Sequence, residues 1–295
     1  MAIYTRGYRD VSYQPTSAFA RIWPIARHEL LAMFRMRFGA ILFLLCLAPT
    51  VGQLILLLVR AGLWEVAPEG RGGGAIPFGD RLDPASPNFY MWPITTMSFV
   101  PFLVLTTLVS VRAIAKDRAA GALEIYWTRA ISPWAYFVGK WYGSFLLLAA
   151  AFVAAPCVLW LTSVLLAPDW SQLEATIGMV PRVLAGLAWL CATMALLAVS
   201  VSALAPTPNF AAIVWLFVVV GSLGFGQVLR FALRENWTVA INPWRAGKRV
   251  VEWFAGFTPF FDYSPWAALG LVTGIAAVLL ALAARRLRVL EAVAS

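Results

Sequence analysis

Residues 183–229 read VLAGLAWLCATMALLAVSVSALAPTPNFAAIVWLFVVVGSLGFGQVL, 47 positions without a charge between Arg182 and Arg230. The apolar core of a bilayer is about 30 Å thick and is crossed by roughly 20 helical residues. As one helix this stretch would be about 70 Å long at 1.5 Å per residue, too long for a single crossing. Pro206-Thr207-Pro208-Asn209 lies near its middle, where proline interrupts helical hydrogen bonding. The stretch is therefore read as a hairpin of two membrane helices. Four more charge-free runs flank it, at 38–59, 84–111, 141–168 and 263–284. The chain is read as an all-α integral membrane protein of six transmembrane helices, at about 39–59, 92–112, 133–167, 182–204, 208–229 and 264–285. In 295 residues they leave room for one membrane domain, 1–295, and no soluble one.

Composition agrees. Hydrophobic residues make up 61% of the chain and charged residues 13%, about half the charge of a soluble domain. The first uncharged run begins only after 37 polar-rich residues, which does not fit a cleaved leader. The net charge of +9 raises nucleic acid as a partner, but its distribution points to a membrane instead. The termini and the segment 112–140 hold 14 Lys and Arg against five acids, and the remaining loops hold nine against nine. Basic residues in short loops mark the cytoplasmic face, so both termini are expected there. One loop runs against the rule, since 230–249 carries five basic residues on the expected outer side. Cys46, Cys157 and Cys191 each fall within a span and lack metal-ligand spacing, which suits small buried hydrophobes.

Four cap-then-proline pairs, Ser132-Pro133, Thr207-Pro208, Asn242-Pro243 and Ser264-Pro265, mark helix starts. Pro49 is expected to kink span one. In 21–37 an apolar stripe of Ile22, Ile25, Ala26, Leu30, Met33 and Phe34 leaves Arg27, His28, Glu29 and Arg35 off it. That spacing suits an amphipathic helix in the cytoplasmic interface; a plain extension of span one is the alternative. Residues 243–257 repeat the pattern outside, with Val250, Val251, Phe254 and Phe257 opposite Arg245, Lys248, Arg249 and Glu252. Most of the 14 tryptophans, Trp244 among them, fall near span ends, as interfacial belts do.

Catalysis and ion coupling inside the bilayer need ionisable groups, and the spans are expected to hold none. His28 is the only histidine and falls in the interfacial helix, so no Ser–His or His-ligated zinc site can be assembled within the spans, and neither catalytic nor cofactor-binding residues are assigned. Gln53, Asn209 and Gln227 are the polar side chains in or beside the spans that can pack helices or touch a passing substrate. Neither Gly139-Lys140 nor Gly247-Lys248 fits a phosphate-binding loop. If ATP drives this protein, another chain binds it, with its Mg ion.

The one substantial loop on the basic side is 113–132. It sets Lys116, Asp117 and Arg118 beside Leu123, Glu124, Tyr126, Trp127 and Arg129. Apolar and aromatic groups beside charges suit a docking knob for a soluble partner, while aromatics anchored in headgroups are the plainer reading. Within 116–143 the pattern is Lys-Asp-Arg-x-x-Gly-x-Leu-Glu, then Arg129-x-Ile-Ser132, Gly139-Lys140 and Gly143. It resembles the loop after the second span in permease subunits of type-2 ABC transporters, with Ala122 where Thr is common and Ala130 where Pro is common. The resemblance implies a half-transporter in the bacterial plasma (inner) membrane. A second permease subunit would pair beside it, and two copies of a cytoplasmic ATPase would dock on the 113–132 coupling segment. Spans one and five, and so Gln53 and Gln227, would line the path and the dimer interface. Gly139/Gly143 and Gly270/Gly274 are small-xxx-small pairs suited to close helix packing. The expected function is an ATP-driven exporter of an amphiphilic or bulky substrate, in contact with lipid and not nucleic acid. The alternative is a membrane scaffold whose ATPase drives assembly of a surface or secretion machine.

Overall fold

The structure, a computed structural model, describes residues 18–64, 83–123, 131–257, 259 and 261–294. Thirteen α-helices run through the described residues, with no strand among them. They are α1 (Ala18–Arg35), α2 (Arg37–Trp64), α3 (Pro87–Trp92), α4 (Phe99–Leu108), α5 (Ala113–Ala119), α6 (Pro133–Phe152) and α7 (Ala154–Leu165). After these come α8 (Ser171–Thr176), α9 (Val180–Leu204), α10 (Pro208–Leu216), α11 (Ser222–Leu233), α12 (Pro243–Ala255) and α13 (Pro265–Ala294). Six helical stretches are long and apolar enough to cross a membrane: 37–59, 99–119, 133–165, 180–204, 208–233 and 265–289. The chain is a multi-pass membrane protein.

Helix α9 is the centre. Its alanines and serines let α6, α12 and α13 approach closely, and all three pack on it. Of its most apolar stretch, 67% is buried, against 28% for the first span, 17% for the fifth and 22% for the sixth. Those three turn Leu44, Ile55, Phe217, Phe225, Val228 and Val278 outward. Bilayer solvent tolerates such faces, because lipid tails are as apolar as leucine.

The spans depart from their sequence boundaries where proline or a cap intervenes. The helical run leading into the second span begins at Pro87, where the Ser86 hydroxyl accepts from Asn88 N at 3.3 Å, and the apolar stretch itself starts at 99 rather than 92. It then widens into a π turn at Pro93–Met97, closed by Ser98 N donating to Pro93 O at 2.9 Å. Span three breaks at Val153, three residues before Pro156, whose missing N–H leaves the Phe152 carbonyl without its helical partner. Span six runs nine residues past 285. Ala283 and Leu287, on either side of Arg285 and Arg286, are buried, so packing carries the helix on. Span one is one unbroken helix through Pro49.

A second π turn, Phe217–Gly221, joins α10 to α11. Wide turns free a backbone carbonyl, and each of the two is taken by the start of α12. Trp244 Nε1 donates to Thr95 O at 3.2 Å, and Asn242 Nδ2 donates to Val219 O at 2.6 Å. Asn242 also caps α12, accepting from Arg245 N at 2.9 Å. The 243–257 helix therefore differs from one lying apolar face down. Val250 and Val251 are buried as expected, but so are Arg249 and Glu252, because α12 is enclosed by neighbours on more than one side. Trp244 is no belt residue: it is buried and packs on Phe102 with ring centroids 4.5 Å apart. Trp215 is also buried and donates to Thr106 Oγ1 at 3.2 Å.

Candidate functional site

Helix α5 is only seven residues long and cannot hold itself together. Its first N–H groups lack partners within the helix. Ser202, from α9, supplies one: its hydroxyl accepts from Ile114 N and Ala115 N, both at 3.0 Å. The debt runs the other way at the end of α9, whose last carbonyls are equally orphaned. Arg118 of α5 donates from Nη1 to Ala205 O at 2.6 Å and from Nη2 to Ala203 O at 2.5 Å. A cation at a helix C-terminus is favoured by the helix dipole as well. Two helix ends thus cap each other through side chains, and the segment after span two is fastened to the central helix. Beyond α5, Gly121 takes a φ of +69° and turns the chain, a conformation that costs glycine nothing.

The other face of α5 meets α6. Asp117 Oδ2 accepts from Lys140 Nζ at 2.6 Å and from the Tyr136 hydroxyl at 2.8 Å. Lys140 Nζ also pairs with Glu29 of α1. Lys140 is 1% exposed, so its ammonium is stable there only because two carboxylates and the Tyr136 ring, 5.5 Å away, surround it. One cation between two anions ties three separate chain segments at a point. Ile25, Ile114, Leu123, Phe137, Val199 and Leu287 cluster beside it.

Glycine makes the junction possible. A Cβ at Gly139 would lie 2.8 Å from Ile25 Cβ, and one at Gly143 would lie 2.7 Å from the Ala26 carbonyl oxygen. Helix α1 crosses α6 in this bed, which lets Glu29 reach the lysine between the two glycines. This pair packs as small-xxx-small pairs do; among the described residues Gly270 and Gly274 have nothing within 4 Å of a built Cβ.

Two sequence expectations are corrected here. Spans without ionisable groups is wrong at Lys140, which lies in the second turn of α6; Arg182 and Arg230 also fall inside their helices. Glu29, set off the apolar stripe of the first helix, lies on its buried face, while Phe34 of that stripe is 47% exposed. In both cases the reason is the Glu29–Lys140 pair.

Of the residues expected to dock a partner, Lys116 is exposed. Asp117, Arg118 and Leu123 face into the chain, through the contacts above and, for Leu123, burial. Glu124, Tyr126, Trp127 and Arg129 lie outside the described residues. Beside the junction, a cleft of about 340 Å³ opens between the start of α6 and α13, lined by Ser132, Pro133, Trp134, Ala284, Leu287 and Arg288. Gln53 faces inward and is buried. Asn209 accepts from Arg112 Nη2 at 2.5 Å, joining the end of span two to the start of span five. Gln227, with its amide oxygen turned to Arg245, accepts from both terminal nitrogens of that guanidinium at 2.5 and 2.9 Å. Among the described contacts the three share no partner. Comparison of the chain with protein-family models and with curated proteins gives no match.

Proposed function

We infer that the chain is the membrane-spanning permease subunit of an ABC-type transporter in a bacterial inner membrane. It exports an amphiphilic or bulky substrate and borrows its driving force from a separate cytoplasmic ATPase that binds ATP and Mg. Two permease subunits pair, and one ATPase docks under each. Termini and the α5 segment face the cytoplasm, where basic residues outnumber those of the other loops.

The observation that carries this reading is the attachment of α5. A docking segment transmits force only if it is stiffly joined to the spans. Here Arg118 and Ser202 fix it to α9, and Asp117 fixes it through Lys140 to α6 and α1. A push arriving at residues 124–130 would reach three helices at once, including the most buried one. The mostly apolar spans suit a cargo that is itself partly apolar.

The test is capture of the neighbour. The full-length chain, purified from native membranes in mild detergent, should carry an ATPase subunit identified by mass spectrometry. Glu124→Lys should reduce that recovery at least about tenfold, the loss of one buried charge-assisted contact. Recovery of the chain alone, or equal recovery by the variant, contradicts the reading.

A further inference from the structure

Of the two π turns, one has a cause in its own sequence and the other does not. Pro93 opens the turn in span two, and a residue without an N–H interrupts regular helix. The turn in span five is Phe-Val-Val-Val-Gly, residues 217–221, with no proline nearer than Pro208. Ser222 N donates to Phe217 O and closes it. Such a turn holds one residue more than the α-helix it interrupts, is rare, and recurs at functional sites. What supports this one comes from elsewhere in the chain.

Asn242 is fully buried. Its Nδ2 donates to Val219 O at 2.6 Å and to Ser222 Oγ at 2.8 Å, and the Ser222 hydroxyl gives its own hydrogen to Val218 O. The Oδ1 of the same side chain caps α12 through Arg245 N. One amide thus ties the wide turn to the start of α12. The neighbouring bed is tight: a Cβ at Gly226 would lie 3.0 Å from Thr238 O, so α11 must present a glycine there. Helix α12 is itself pressed on α9, where a Cβ at Gly186 would lie 3.2 Å from Val251 Cα. The central helix therefore meets α12 near Gly186 and α5 at Ser202, toward its other end.

The geometry points to Phe217–Gly221 as a register joint in span five, held wide by Asn242. With α12 seated, the turn keeps its extra residue. When a movement of α9 draws α12 away, Val219 O loses its donor. The segment then closes into α-helix, where that carbonyl accepts from the N–H four residues on. Each residue of α11 advances by one position, about 100° around the axis at 3.6 residues per turn. Phe225, Val228 and Phe231, now exposed, cede the lipid-facing side to Gly224, Gln227 and Arg230. The change is all-or-none, because Phe225 would take the place of Gly226 against Thr238 O, where there is no room for a side chain. The 236–242 segment therefore leaves as α11 turns; packed elements shift between discrete arrangements in this way. Gly221, Gly224 and Gly226 soften the backbone through the stretch. The joint links the α5 end to the α12 end across the membrane, and it does not depend on what drives α9.

The experiment uses the full-length chain in phosphatidylcholine nanodiscs, with Cys46, Cys157 and Cys191 replaced by alanine. A spin label is placed at one position at a time from 223 to 232, and its accessibility to oxygen is read. Peaks are expected at the exposed positions 225, 228 and 231. N242S keeps an oxygen able to cap α12 but removes the amide arm, and its peaks should move by one position, to 224, 227 and 230. Deleting Val218 takes out the extra residue. In the N242S chain the deletion should return the peaks to 225, 228 and 231. In the otherwise unchanged chain it should leave them there, which gives a reading even if N242S does not assemble. A merely structural Asn242 would lower the thermal midpoint of N242S without moving its peaks. That outcome overturns the joint, as does a deletion that shifts the peaks of the unchanged chain.

Discussion

The two ends of this bundle handle charge in opposite ways. At the α1/α5/α6 end, one buried cation is enclosed by two carboxylates within the chain. At the α11/α12 end, two guanidiniums share the Phe261 ring but pair with no described acid. A charge neutralised internally contributes to architecture, because removing either partner strands the other. The first arrangement suits a joint that carries motion between segments.

The comparison breaks most visibly at the joint. Lys140→Met leaves the buried Glu29 and the half-buried Asp117 with no cation between them. Loss of one member of a buried ion pair costs about 3–5 kcal/mol, so the variant should unfold at a clearly lower temperature in detergent, or fail to accumulate. The triple variant Glu29→Gln, Asp117→Asn, Lys140→Met removes every charge together and should recover most of that loss. Thermal unfolding followed by size-exclusion fluorescence checks both. If the single variant matches the wild-type protein, the pairs are ornament and the joint is not built on charge.

A smaller effect sharpens the other end. Burial raises the Glu252 carboxyl above its ordinary value near 4.5, with Lys248 and Arg249 opposing the rise. A carboxyl raised in the folded state favours folding when protonated. That contribution is complete below the unfolded value and disappears as pH climbs through the folded one. Glu252→Gln should therefore match the wild-type protein near pH 4 and be more stable at pH 7–8, by under about 1 kcal/mol. Thermal midpoints across that range report it; a variant less stable at pH 8 would show Glu252 to be a paired, stabilising charge.

The sequence disclosed these ends unevenly. Charge-free runs located all six spans, because an uncharged stretch of some 20 residues has few other uses in a protein. Each cap-then-proline pair marked a helix that begins at its proline. Lys140 was misjudged because its partners are distant: Glu29 stands 111 residues away in the chain, and no local spacing links them. Gly139 and Gly143 did signal a close approach, though not by which helix. Ser202 and Arg118 were equally opaque, since serine in an apolar helix reads as packing until another helix ends against it. The basic loop was visible as a violation of the charge rule. That its arginines converge on Phe261 depends on how α11 and α12 fold back, which composition does not encode.

Both readings require that the two ends lie on opposite sides of a membrane, with the paired end inside. Cysteine labelling of intact cells tests this most directly, in a chain whose Cys46, Cys157 and Cys191 are replaced by alanine. Ala120→Cys, just beyond α5 and exposed, should react with an impermeant maleimide only after permeabilisation. Asp169→Cys, exposed between α7 and α8 at the other end, should react in intact cells. Labelling of position 120 from outside, with position 169 protected, would contradict the account.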